Sequence, residues 1–70
     1  MITNEKIRAR LTEAIKQSTM SQAEICRFLG IKPPTMSQYL SGRSLPALDT
    51  FANLCQVLDV SADYLLGLED

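Results

Sequence analysis

Histidine is absent from the chain, and its only two cysteines, Cys26 and Cys55, stand 29 positions apart. A structural zinc site takes four ligands drawn mainly from cysteine and histidine, so this chain cannot supply one. The two thiols are expected to be reduced and buried, acting as small hydrophobes. A glycine-rich phosphate loop is missing as well. Only scattered carboxylates are left for chemistry, so an enzyme is the weakest of the function classes, and no cofactor or small-molecule substrate is expected. No apolar run approaches the 18 residues of a membrane span, and the N-terminus lacks a basic segment followed by an apolar one. The expected compartment is therefore the cytoplasm, with no membrane partner.

Excess positive charge is missing too. Seven Lys and Arg face eight Asp and Glu, a net charge of -1, which taken alone speaks against a nucleic-acid partner. The distribution reverses that reading. All seven bases precede Ala47, opposed there only by Glu5, Glu13 and Glu24, a local excess of four positive charges. From Ala47 onward there are five acids and no base. Such a split suits one face made for phosphate and another turned away from it, although a solvated charge pattern would look the same.

What is present is ordinary globular material: 46% hydrophobic and 21% charged residues, enough to argue against disorder and against a fibrous chain. Seventy residues make one domain, 1–70, and a chain this short hides only about 60% of the surface its unfolded form exposes. Its core must be compact, with little spare surface for a cleft. There is no repeat, low-complexity tract or strand-like alternation.

Helix starts recur in one form: an apolar residue, then Ser or Thr, then an apolar residue five places after the first. That is a hydrophobic staple around an N-cap. Ile2, Thr3 and Ile7 open a first helix in this way. Met20, Ser21 and Ile25 open a second, where Glu24 completes a capping box, and Val60, Ser61 and Leu65 open the last. In the first helix Ile7, Leu11, Ala14 and Ile15 recur at helical spacing, which leaves Arg8, Arg10, Glu13 and Lys16 for solvent. The second turns Ile25, Cys26 and Leu29 inward and ends at Gly30, where a left-handed residue fits. A third begins in Lys32-Pro33-Pro34-Thr35, since proline suits the first turn and the residue before proline avoids the helical region. It runs to about Leu40. The turn Ser41–Pro46 precedes a fourth helix over roughly Leu48 to Leu58, with Leu48, Phe51, Cys55 and Leu58 on one face. The predicted fold is all-α, a compact bundle of five short helices.

Two short helices joined by a tight glycine-containing turn form a helix-turn-helix, although helical domains also contain such pairs for packing reasons alone. The residues narrow the choice. Ser21-Gln22-Ala23-Glu24-Ile25, Leu29-Gly30-Ile31, Thr35-Met36-Ser37-Gln38-Tyr39, Ser41-Gly42-Arg43 and the stretch Leu54-Cys55 through Leu66-Gly67 resemble the phage repressor and Cro-like, or XRE, helix-turn-helix family. The motifs are loose singly and specific jointly, because their order and gaps agree over nearly the whole chain. The resemblance implies a five-helix, lambda-repressor-like domain, with its helix-turn-helix over about residues 21–43. It also implies binding to the major groove of operator DNA, usually as a homodimer that represses or tunes transcription. Relatives of this type often continue through a linker into a second domain.

Carried over residue by residue, Gln22 matches the polar residue that grips a phosphate at the start of the second helix, helped by the helix-end amides. Arg43 matches a basic loop residue that meets the backbone. Base reading falls to the outward side of the third helix, where Pro33, Pro34, Ser37, Gln38 and Ser41 share one face while Met36, Tyr39 and Leu40 face inward. Gln38 suits adenine, and Ser37 can donate to or accept from almost any base. Lys32 can reach a phosphate or a guanine, and Thr35 and Ser44 complete the candidate DNA contacts.

Three departures stand out. Pro33-Pro34 occupies positions usually polar, so two hydrogen bonds to DNA are missing there and only apolar contact, for instance with a thymine methyl, is left. Ile15 and Leu40 replace an Arg and a Glu that bridge the first and third helices in many relatives, a paired exchange that is often neutral or stabilising. Ala47 replaces the usual Ser or Thr cap of the fourth helix. Phe28 and Leu68 are expected to be partly exposed. The acidic balance and the proline pair also fit a second reading, a protein-interaction module that keeps the fold and has lost DNA binding.

Overall fold

The structure, a computed structural model, describes residues 1–70 as five helices without strands. They are α1 (Asn4–Gln17), α2 (Gln22–Leu29), α3 (Pro33–Ser41), α4 (Leu48–Leu58) and α5 (Ala62–Leu65). The predicted starts hold. The Thr3 and Ser61 hydroxyls accept from the amides of Lys6 and Tyr64, and Ser21 and Glu24 form the full capping box. Ala47 makes no side-chain cap, as its missing hydroxyl requires.

Helix ends follow a second shared rule. At Gly30, Gly42, Asp59 and Gly67 the chain turns left-handed, and the next amide reaches back to the carbonyl five residues earlier, as from Ile31 to Cys26 and from Arg43 to Gln38. These are Schellman endings, which satisfy carbonyls a helix leaves unpaired and reverse the chain in two residues. Asp59 is the one non-glycine among them.

The reversals fold the helices onto a core of eight buried side chains, all apolar: Leu11 and Ile15 of α1, Ile25 and Cys26 of α2, Met36 and Tyr39 of α3, Leu54 of α4 and Leu65 of α5. α2 lies against α4 and α3, while α1 spans α3 and α5. Ile15 is deep in this core and Leu40 packs at its edge, so the apolar exchange has become ordinary packing. Cys26 and Cys55 are free thiols; Cys26 is buried, but Cys55 is only half-buried.

Leu48 and Arg10 also depart from the expected pattern. Leu48 was placed on the inward stripe of α4, yet it is 87% exposed, and the stripe instead centres on Leu54, which is fully buried. The buried face is rotated from the expected one: at about 100° per residue Leu48 lies roughly 120° round the helix from Leu54, so it turns to solvent while Phe51, Cys55 and Leu58 flank Leu54 half-buried. Arg10 was left to solvent, yet its guanidinium donates to the carbonyls of Tyr64 (2.6 Å) and Glu69 (2.8 Å) and lies 4.4 Å over the Tyr64 ring. It ties the chain's last residues to α1 and is not available to an anionic partner. Phe28 and Leu68 are exposed, as the pattern suggested.

Charged hydrogen bonds and a cation–π contact together imply that Arg10→Ala costs about 1–2 kcal/mol, a fall of several degrees in Tm, with Lys restoring only part. Thr12 carries a buried hydroxyl without a partner. Thr12→Val keeps the shape and removes the orphan, so thermal unfolding should show it neutral or more stable by up to about 1 kcal/mol.

Candidate nucleic-acid interface

The starts of α2 and α3 are built in opposite ways. At α2 the capping box satisfies the amides of Ser21 and Glu24 and leaves those of Gln22 and Ala23 free at an exposed helix end. Free amides and the positive end of the helix dipole make this a place for an anion, and Gln22, the first residue of α2, is exposed beside them. At α3, Lys32 is the cap without a side-chain bond and Pro33 and Pro34 fill the first two positions. Prolines have no amide hydrogen, and the next two amides, of Thr35 and Met36, are already bonded to the Lys32 carbonyl. The start of α3 therefore offers no backbone donor, and whatever it contacts must be met by side chains.

Burial of Met36 and Tyr39 fixes the rotation of α3 and sets its opposite face outward. Pro33, Pro34, Ser37, Gln38 and Ser41 are all exposed there, and with Arg43 they border one open depression of about 650 Å³. This is the grouping expected from the sequence. Gln22 lies outside it, at the start of α2, and Lys32 stands exposed at the entry to α3. Thr35 and Ser44 are half-buried.

Hydrogen bonds distinguish the polar side chains of this face. The Ser41 hydroxyl donates back to the Gln38 carbonyl at 3.2 Å, so its proton is turned away from the surface. The Ser44 hydroxyl donates to Oε1 of Gln38 at 3.4 Å. That long, exposed contact biases the amide so that Nε2 is the freer end. Ser37 keeps an uncommitted hydroxyl. The face thus presents one amide donor, one free hydroxyl and two proline rings, with Arg43 at its border.

Arg8 departs from the solvent position its spacing predicts: it is half-buried and lies across Gly42, where a methyl group would stand 2.5 Å from its Cδ and 2.6 Å from Nε. The contact spans 34 positions, and no local pattern announces it. No cluster of three His, Cys, Asp or Glu side chains is placed to hold a metal.

A helix-turn-helix family model matches residues 11–65, from the core of α1 to the end of α5. The chain belongs to the XRE-type helix-turn-helix family. Among curated proteins, this helix-turn-helix domain is 31% identical over 62 residues to the cryptic phage CTXphi transcriptional repressor RstR of Vibrio cholerae, covering 89% of the chain and 55% of that protein. It is 38% identical over 60 residues to the HTH-type transcriptional regulator AnsR of Bacillus subtilis, covering 86% of the chain and 52% of the relative. The HTH-type transcriptional regulator YqaE of Bacillus subtilis is 38% identical over 56 residues, covering 80% and 48%. The chain spans about half the length of the curated relatives it matches. No solved structure matches it significantly. No helix is long and apolar enough to cross a membrane.

Two ionisable groups of the helix-turn-helix domain depart from their ordinary behaviour. Desolvation pushes the Cys55 thiol up, which keeps it protonated and unreactive. The Glu24 carboxyl is lowered, first by the Ser21 amide it accepts from, then by the Ser21 side chain, with a smaller pull from Arg27 that works against desolvation. A depressed carboxyl stabilises the fold above its unfolded value, and that contribution is lost as pH falls through the folded one. Glu24→Gln keeps the acceptor but does not titrate, so its loss of Tm on acidification below the ordinary carboxylate range should be shallower than that of the parent.

Proposed function

We propose that this domain is a sequence-specific DNA-binding transcriptional regulator, acting as a repressor at a palindromic operator. The observation that carries the reading is the outward face of α3, where Ser37 and Gln38 stand exposed in the depression that Arg43 borders. The names of the relatives, a phage repressor and HTH-type regulators, support it. In this reading α3 lies in the major groove and the domain works as a homodimer whose two copies enter successive grooves about 34 Å apart. Gln22 with the α2 amides and Arg43 hold phosphates, which sets register without reading sequence. Gln38 and Ser37 read base edges, with the freer Nε2 of Gln38 donating. Pro33 and Pro34 give shape and apolar contact, so the operator is read through fewer hydrogen bonds than is usual at the start of such a helix.

Selection of bound sequences from a random DNA pool tests the whole proposal, since an enriched palindrome supports operator and dimer together. No detectable binding to mixed-sequence DNA at about 50 mM salt would favour an interaction module instead, because even non-specific binders reach about 10⁻⁴–10⁻⁶ M. Gln38→Ala should lose about 1–3 kcal/mol of discrimination at one base position and relax the preference there. Arg43→Ala should weaken binding to all sequences alike and reduce the slope of log K against log salt by about 0.9.

A further inference from the structure

Beside the face of α3 lies a separate cleft of about 270 Å³, formed where the start of α1 meets the turn after α3 and lined by Asn4, Glu5, Arg8, Gly42, Arg43, Ser44 and Leu45. Two guanidinium groups border it from elements far apart in sequence, and neither makes a side-chain hydrogen bond within the chain. We infer that this cleft receives a stretch of DNA phosphate backbone, with Arg8 of α1 forming one wall and Arg43 of the turn the other.

Three observations converge on it. Arg43 borders both this cleft and the depression on α3, so backbone leaving the reading face would pass into it. Arg8 is half-buried with the end of its side chain across Gly42, which narrows the positions its guanidinium can take; the left-handed glycine, φ +81, suits the turn, and the missing Cβ makes room for the arginine. Holding a long side chain in advance lowers the entropy lost when it binds. Finally, Arg10, two positions on, is committed to the carbonyls of Tyr64 and Glu69, so the two neighbouring arginines of α1 have divided roles: one fixes the fold and the other is free. Glu5 is the opposing charge in the cleft. One carboxylate against two guanidiniums leaves the site net positive, and it lowers the affinity rather than abolishing it.

The inference rests on the DNA-binding reading, and its test separates the two. The parent, Arg8→Ala and Glu5→Gln domains are titrated with a selected operator and with mixed-sequence duplex over a salt series, with helicity checked by circular dichroism. Arg8→Ala is expected to reduce the salt slope by about 0.9 on both duplexes, the size of effect assigned to Arg43. Glu5→Gln removes the opposing charge without touching the packing, so it is expected to tighten binding to both. A parent that binds while Arg8→Ala keeps the parental slope overturns the cleft and leaves the regulator reading standing. If Arg8→Ala is misfolded, unchanged affinity in Glu5→Gln overturns it equally. A parent that binds neither duplex removes both.

Discussion

Everything the outward face of α3 presents depends on the burial of its inward face. Met36 and Tyr39 sit in a core of only eight side chains, with no charged residue among them and the Thr12 hydroxyl as the one buried side-chain polar atom left without a partner. Apolar burial is non-directional, but on a helix of nine residues two anchors three positions apart fix both rotation and height. The proline pair, Ser37, Gln38 and Ser41 are exposed together for that reason. The apolar pair Ile15 and Leu40 extends the same logic: where many relatives bridge the first and third helices with charges, this chain joins them to one apolar core.

Chain reversal is the second constraint, and it links stability to the interface. Four helices end in the same left-handed turn, which satisfies their last carbonyls and returns the chain to the core within two residues. At Gly42 the turn also places Arg43 at the border of the outward face of α3 and leaves the space Arg8 occupies. Local backbone chemistry and the placement of two cations are thus one feature. The start of α3 shows the converse: two prolines begin the helix efficiently but remove the amides that α2 keeps free at its own start.

The charge split acquires a finer meaning from the packing. A net charge of -1 conceals an excess of bases before Ala47, but those bases are not equivalent. Arg10 is turned toward the C-terminal residues and neutralises carbonyl dipoles there. Arg8 and Arg43 converge on one cleft. Local concentration of charge, not the total, decides whether an anion is attracted to a surface.

By itself the sequence determined where helices begin and end. Caps, staples, prolines and glycines act within a few residues, so the boundaries at Thr3, Ser21, Gly30, Lys32 and Ser61 could be read without any knowledge of packing, and so could the two faces of α3. The grouping of Pro33, Pro34, Ser37, Gln38 and Ser41 followed from the same short range. Tertiary structure decided what periodicity cannot express. Leu48 shares an apolar stripe with Phe51 and Cys55, yet α4 is turned so that Leu54 is buried and Leu48 is exposed, and which side of a helix meets the core depends on the other helices. Arg8 and Arg10 look alike on a helical wheel, yet one lies across Gly42 and the other holds Tyr64 and Glu69, because a long flexible cation takes the partner that folding brings near, however distant in sequence.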